Sequence, residues 1–421
     1  MKPISPFGLP IGISIAIWSV VGCLRLVHEM FRARFGKKRK YNRYTASDIV
    51  VLLPAHNEEV VIRSAIQSLK KVVEPHQIYV ISDGSQDKTY RRARMEGVHV
   101  SELLPGRGKA KGLVYLLKQY NLFKRYKLIF IVDADTRIDE NALKYALPLF
   151  NDRETGVVFA SSQIRWKQHI IPKLSYYFFA YRDRLNRILQ YCFVYGQTWK
   201  YTNVNYVIPG FATIYRSEIL KQLEIDTPGL LIEDFNLAFQ FHKKKLGKIG
   251  YAPLAIGWDQ YPDNLIDYWN QVRRWNIGFF QTVKKNGVWP SFFWAALGLF
   301  SLEIILNSIF MLFLPFILIF DAAYILAYFN ITHAPILSLS SIPPLIPFYE
   351  EATLENIFIG VFVIDYFFSV IIGLVNKKPQ FIFYGLFFFF MHSITSLILL
   401  SSIYPGFFGT SDGRWKSPKR F

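Results

Sequence analysis

Cysteine is nearly absent: Cys23 and Cys192 are the only two in 421 residues. One lies in an apolar run and the other far along the chain, so neither a disulfide framework nor a Cys-based zinc site is supported, and a reducing compartment fits best. The eight histidines show no metal-ligand spacing. No Ser-His-Asp or Cys-His constellation can be assembled without arbitrary choices, which leaves hydrolase readings unsupported. There is no internal repeat, and no low-complexity tract beyond a phenylalanine-rich stretch near the C-terminus. Acidic residues are also scarce, 31 against 49 Lys and Arg, for a formal charge of +18. That excess would suit a nucleic-acid binder. Much of it, however, borders hydrophobic runs, where cytoplasmic loops collect Lys and Arg, so a membrane protein is expected and nucleic acid is not an expected partner.

Phe7 to Val27 is apolar, interrupted only by Arg25, and long enough to cross a bilayer. Phe31-Arg32-Ala33-Arg34-Phe35-Gly36-Lys37-Lys38-Arg39-Lys40 follows it. A cleaved signal peptide carries its charge before the apolar run and a small-residue cleavage site after it. Here the charge comes after, which predicts a retained anchor and a cytosolic domain beyond it. Past Trp289 three apolar blocks occur, Ser291 to Phe329, Leu354 to Val375 and Phe381 to Tyr404. Glu303, Asn307 and Pro315 interrupt the first, which fits one tilted span, a re-entrant piece plus a span, or two spans. Lys377 and Lys378 favour an inside loop before the last block, whereas Arg414, Lys416, Lys419 and Arg420 favour an inside tail after it.

Between these ends the pattern changes. Ile49 to Leu53, Ile78 to Ser82 and Leu128 to Val132 read as buried parallel strands, with amphipathic helices over Glu58 to Lys71 and Lys109 to Tyr120. Such alternation implies an open α/β sheet, which binds ligands beyond the carboxyl ends of its strands. Pro54-Ala55-His56-Asn57-Glu58, Ser82-Asp83-Gly84-Ser85 and Asp133-Ala134-Asp135 each stand at such an end.

Asp133 and Asp135 place two carboxylates just after a strand, which suits Mg²⁺ or Mn²⁺ bridging a diphosphate, although acidic turns and helix caps produce the same triplet. Asp83 can accept a base or ribose hydrogen bond beside Gly84; a capped turn with Ser85 or Asp87 as cap is the plainer alternative. Gly106 to Gly112 resembles a phosphate-cradling loop without Walker or dinucleotide spacing, with Lys109 supplying charge and Arg107 and Lys111 equally at home on a solvated turn. Glu233-Asp234 opens an amphipathic helix. It reads as an acidic cap or as the carboxylate base that takes a proton from an attacking sugar hydroxyl, with Asp234 the base. Helical spacing puts Gln271, Arg274 and Trp275 on one face, offering an amide, a forked cation and a flat apolar surface on which sugars stack, within a segment that also suits a headgroup-level helix. Pro209-Gly210-Phe211-Ala212-Thr213 reads most simply as a Gly turn before a strand.

Taken in order, Pro54 to Glu59, Ser82 to Ser85, Gly108-Lys109-Ala110, Asp133-Ala134-Asp135, Glu233-Asp234 and Gln271-Val272-Arg273-Arg274-Trp275 resemble the membrane-integrated family 2 glycosyltransferases, which include cellulose, hyaluronan, chitin and poly-N-acetylglucosamine synthases. The match covers Asp48 to about Trp289. Ser82 replaces a frequent aspartate, and Ile232 a threonine that often precedes the Glu-Asp pair. The resemblance implies a GT-A-like α/β nucleotide-sugar-binding domain plus α-helical transmembrane segments, a nucleotide-diphosphate sugar donor, Mg²⁺ or Mn²⁺, and inversion at the anomeric carbon. It assigns Asp234 as catalytic base and Asp135, with Asp133, as metal ligands. Pro54, Asn57, Glu58, Asp83, Lys109 and Asp133 would hold the donor nucleotide, and Gly210, Glu233, Gln271, Arg274 and Trp275 the acceptor and diphosphate. The tail from Gly409 is similar to the endings of bacterial β-linked N-acetylglucosamine polymerases.

The expected organisation is an anchor over 1–30, a basic linker over 31–47, a cytosolic catalytic domain over 48–263, an interfacial helix over 264–290, three or four membrane segments over 291–408 and a basic tail over 409–421. The expected function is elongation of a β-linked polysaccharide from a UDP-sugar at the plasma membrane, with translocation through the chain's own spans and room for accessory export subunits. Transfer of one sugar to a lipid acceptor, and a non-catalytic protein binding membrane lipids, are the alternatives.

Overall fold

The computed structural model describes residues 12–35, 42–164, 173–316, 319 and 354–409. They divide into two compact units, one formed by Ser14–Leu299 with the segment from Ser402, the other by Phe300–Ser401.

The first unit is built on an eight-stranded sheet: β1 Ile49–Ala55, β2 Ile78–Asp83, β3 His99–Leu103, β4 Leu128–Val132, β5 Arg137–Ile138, β6 Thr155–Ile164, β7 Ala212–Arg216 and β8 Lys248–Asp259. Every residue of β1, β2 and β4 is buried. The pleat explains why unbroken apolar runs were needed, since side chains alternate between two covered faces. Ile49, Val51, Leu53, Ile78, Val80, Leu128, Phe130 and Val132 join a core that includes Ile62, Ile66 and Leu69 of the helix Ile62–Leu69. Val50, Leu52, Tyr79, Ile81, Ile129 and Ile131 join the other, with Leu113, Leu116 and Leu117 of the helix Lys109–Gln119. With both faces dry, polar side chains first become affordable where the strands stop, at His56, Asp83 and Asp133.

The strand order is β3-β2-β1-β4-β7-β6-β8-β5. Its first four members are parallel. The second half departs from the expected parallel pattern: β7 runs antiparallel to β4 and β6, β8 is parallel to β6, and β5 is antiparallel to β8. Antiparallel pairing of β7 sets Ala212 opposite Val132. The chain therefore enters β7 beside the point where it leaves β4, and Asp133 N–H donates to the Phe211 carbonyl at 3.1 Å. The helix expected from Glu58 starts only at Ile62, because Asn57 is left-handed at φ 54° and residues 58–61 form a turn.

Between β6 and β7 lies the helix Lys173–Leu189, continued by a wider π-turn over Gln190–Val194. The N-terminal helix Ile13–Phe35 packs on this segment, Gly196 lying directly against the Trp18 carbonyl. Arg25, the one charge in the apolar run, is buried there. It donates to the Tyr195 carbonyl at 2.7 Å, to Thr198 Oγ1 at 3.0 Å and to Glu29 at 2.8 Å. A guanidinium in an apolar span thus has the partners its desolvation demands.

Helix Leu265–Asn286 begins at Asn264, whose side chain accepts from Asp267 N–H at 2.9 Å. Gly278 of this helix lies flush against the Ile232 side chain, where any Cβ would collide. The Leu231 N–H donates to Gln281 Oε1 at 2.9 Å. These contacts fix the helix against the residues just before Glu233.

In the second unit, Leu354–Val375 and the helix Gln380–Phe408 form a hairpin through a turn that contains Lys377 and Lys378. Gly385 allows Ser369 to approach closely, and His392 Nε2 lies 3.0 Å from Asp365 Oδ1. Among the described residues three helices are long and apolar enough to cross a membrane: Ile13–Phe35, Phe292–Phe316 and Gln380–Phe408. The basic stretch 36–41, most of 317–353 and the tail from Thr410 lie outside the described residues, and with them the expectations made for those segments.

Candidate functional site

At the ends of β1 and β2 the chain turns back on itself. The carboxylate of Asp83 is buried and accepts the N–H groups of Arg107 at 2.7 Å and Gly108 at 2.6 Å. Its carbonyl meets His56 Nδ1 at 2.6 Å. Gly84 and Gly106 pack backbone to backbone here, which no Cβ would permit. Asp83 therefore folds the Gly106–Gly108 loop and so aims Lys109, the first residue of its helix, into the site; Arg107 and Lys111 are exposed. Asn57 Oδ1 accepts from Gln86 N–H at 2.8 Å, and Glu58 N–H donates to Thr89 Oγ1 at 2.7 Å. Neither Asp87 nor Ser85 is the N-cap of the next helix, which is Lys88; Asp87, one residue before it, accepts Thr89 N–H at 2.9 Å, and Ser85 Oγ accepts Asn57 N–H at 3.1 Å. Pro54 lies buried within β1.

The Lys109 ammonium is the hub of the site. It lies 2.9 Å from Asp133 Oδ1 and 2.8 Å from Glu233 Oε1. Asp234 opens its helix beside them, accepting Gly210 N–H on Oδ2 at 3.1 Å, while its Oδ1 is buried without a hydrogen-bond partner among the described residues. Gly210 ties the group together: a Cβ there would fall 2.5 Å from Lys109 Nζ and 2.8 Å from Asp234 Oδ1. Residues 109, 133, 210, 233 and 234, spread over a hundred and more positions of sequence, thus share one small volume.

Three carboxylates around one ammonium cannot all ionise equally. Burial lifts the Asp234 carboxyl to about 7, helped by the charges of Glu233 and Asp133 and opposed by Lys109. Asp133 is raised by burial and by Asp135 against the pull of Lys109, whereas Glu233, also buried, is carried below its usual range by Lys109, with Arg274 contributing. Lys109 stays firmly charged despite burial because Asp133, Glu233 and Asp234 surround it. The arrangement pairs a fixed cation with a carboxylate poised to gain or lose a proton near neutrality, which is what general-base chemistry requires.

Arg274 bears on Glu233 electrostatically, and the Gln271 Oε1 is buried with no hydrogen-bond partner among the described residues. The indole of Trp275, half-buried, faces the guanidinium of Arg182 at 5.1 Å. Arg182 and Asp259 were not legible as site residues. Asp259 accepts from Thr136 at 2.8 Å and Ser162 at 2.7 Å, and burial next to Asp135 holds its carboxyl well above the usual range. A signal for Arg182 existed in the run Tyr181-Arg182-Asp183-Arg184, three charges inside an aromatic helix, all buried in the structure.

Among the described residues no three His, Cys, Asp or Glu side chains form a closed metal site. Asp133 and Asp135 nevertheless fit a hard divalent cation. Burial, with the Asp135 charge adding to it, raises Asp133, a cost that a cation beside the two carboxylates would offset. Mg²⁺ characteristically uses one or two carboxylates with phosphates and water completing its shell.

Over 287 residues the chain is 27% identical to the poly-beta-1,6-N-acetyl-D-glucosamine synthase of Staphylococcus aureus strain COL, covering 65% of this chain and 66% of the relative. It is 25% identical over 285 residues to the enzyme of the same name from Staphylococcus epidermidis, with 64% and 65% covered. The match thus spans just under two thirds of those relatives' own length. Among solved structures, a mannosyltransferase from Pyrobaculum calidifontis in complex with GDP-Man and Mn²⁺ aligns with TM-score 0.51 at 15% identity, covering 95% of this chain and 99% of that one. At that identity the likeness establishes a GT-A-like fold. The model of glycosyl transferase family group 2 matches residues 128–404, from β4 through the apolar C-terminal helices. The chain belongs to the family 2 glycosyltransferases.

Proposed function

We propose that this glycosyltransferase elongates a β-linked polysaccharide, transferring a sugar with inversion from a UDP-sugar, N-acetylglucosamine being the sugar its relatives favour. The observation that carries the reading is the carboxylate of Asp234, held by Gly210 N–H on one oxygen, unpartnered on the other, and tuned to about 7. In the proposed step Asp234 takes the proton of the acceptor hydroxyl. The freed oxygen attacks the anomeric carbon from the face opposite the diphosphate, whose bond to that carbon breaks with both electrons leaving on the nucleotide. Lys109 sits where it can exchange Asp133 and Glu233 for the donor's phosphates, and Arg274 adds a second cation beside Glu233. Mg²⁺ or Mn²⁺, held by Asp133 and Asp135, would neutralise the departing diphosphate. Asp83, Asn57 and Glu58, with Pro54 behind them, shape the nucleotide end of the cleft, and Gln271 and Trp275 receive the acceptor.

Threading of the product through the apolar helices, a plasma-membrane location with the catalytic unit in the cytosol, and accessory export subunits complete the proposal. The basic segment after the N-terminal helix supports that orientation. Purified protein supplied with labelled UDP-N-acetylglucosamine and Mn²⁺ tests it. Long β-linked chains are the expected product. A single-sugar glycolipid would replace polymerisation with transfer to lipid, and no transfer from any nucleotide sugar would refute the catalytic assignment.

A further inference from the structure

Arg182 is only 5% exposed, yet among the described residues its Nε has no hydrogen-bond partner. Three aromatic rings surround it instead. Its guanidinium carbon lies 4.9 Å from the centre of Tyr261, 5.1 Å from Trp275 and 6.0 Å from Tyr268. A desolvated guanidinium is costly, and ring faces at these distances are a recognised compensation. Two of the rings are anchored independently. The Tyr261 hydroxyl lies 2.7 Å from Ser162 Oγ, which donates to Asp259, and accepts from Asn186 Nδ2 at 2.8 Å. Tyr268 is fully buried, edge-on to Tyr181 at 6.0 Å. The third ring, Trp275, remains half-buried on the face shared with Gln271 and Arg274. The neighbouring charge Asp183 lies 3.4 Å from Arg187, one turn along the same helix.

We propose that Arg182 is a positioning residue for sugar transfer: its guanidinium, gripped by Tyr261 and Tyr268, holds the indole of Trp275 in the orientation on which the acceptor sugar stacks. The proposal rests on the reading of Trp275 as the acceptor platform. Loss of the cation frees the indole to rotate, so the acceptor binds to a platform that spends less of its time in the competent orientation. The donor end of the cleft, built on β1, β2 and β4, is untouched.

The test uses the full chain in detergent micelles, with UDP-N-acetylglucosamine as donor and a β-1,6-linked N-acetylglucosamine tetrasaccharide as acceptor. Arg182→Gln is expected to raise the acceptor KM about tenfold, the scale of one desolvated cation–π contact, with donor KM within about twofold. Calorimetric binding of UDP with Mn²⁺ stays unchanged. Arg182→Lys, which keeps the charge and most of the stem, recovers part of the loss and carries the test should the Gln variant fail to fold. Because Arg182 acts through Trp275, Arg182→Gln added to Trp275→Ala makes the acceptor KM no worse than Trp275→Ala alone. An unchanged acceptor KM in Arg182→Gln, a donor KM that rises in step with it, or losses that multiply in the double variant would overturn the proposal while leaving the platform intact. An unchanged acceptor KM in Trp275→Ala would instead remove the platform reading, and this inference with it.

Discussion

Replacing Asp234 by Asn separates the cost of its ionisation from its use. Folding raises this carboxyl from 3.8 to about 7, so the folded chain keeps a proton over a pH range in which the unfolded chain has lost it. Stability from this group is complete below the unfolded value, declines as pH rises through the window from about 4 to about 7, and is level above it. At 1.36 kcal/mol for each tenfold change in proton affinity, a carboxyl held at about 7 instead of 3.8 costs about 4 kcal/mol when ionised at pH 8, of which about 2 kcal/mol accumulates between pH 5.5 and 8. Asn keeps an acceptor for Gly210 N–H and has nothing to ionise. Relative to the parent, Asp234→Asn should therefore gain about 2 kcal/mol on going from pH 5.5 to pH 8, while transfer falls by a factor of about 10² to 10⁴ and UDP binding persists. Denaturant unfolding of both proteins in the same detergent at the two pH values measures the first effect, and labelled-sugar transfer the second. Parallel stabilities across that range would show that Asp234 is ionised throughout, and near-normal transfer would remove it as the base.

Lys109→Met deletes the cation at the centre of three carboxylates, so the Asp234 midpoint should rise further and the pH–rate profile of kcat/KM, rising near 7 in the parent, should move to higher pH; an unmoved profile would contradict the electrostatic coupling. Gly210→Ala should lower transfer by about 10²-fold or more with the fold retained, as expected for displacement of Lys109 or Asp234 by about an ångström, checked by circular dichroism beside activity. Chelation with EDTA should abolish transfer and Mn²⁺ restore it, and Asp135→Asn should raise the Mn²⁺ concentration for half-activity about tenfold or more; transfer indifferent to chelator would refute the metal assignment. Gly278→Ala should destabilise the chain by about 1–3 kcal/mol, because its Cβ collides with Ile232 and pushes the Leu265–Asn286 helix off its seat; unchanged unfolding would show that this seat is slack.

The amino-acid sequence by itself determined three of the eight strands, β1, β2 and β4, because only doubly covered strands need residues as uniformly apolar as Leu128 to Val132. It also determined where polar chemistry starts, since such strands leave room for carboxylates only at their ends. The spacing of Gln271, Arg274 and Trp275 and the opening of a helix at Asp234 were legible for the same reason: helix and strand periodicities are local. What the tertiary structure alone decided is which distant groups meet. The antiparallel return of β7 beside β4, a pairing without local signature, carries Gly210 to Asp234 and Phe211 to Asp133. The tight fold of Gly106–Gly108 around Asp83 sets Lys109, expected as a phosphate contact, among Asp133, Glu233 and Asp234. Arg182 and Asp259 stayed hidden because burial gives them their meaning: a charge in an aromatic helix reads as a solvated face until the rings and hydroxyls enclosing it arrive from other parts of the chain.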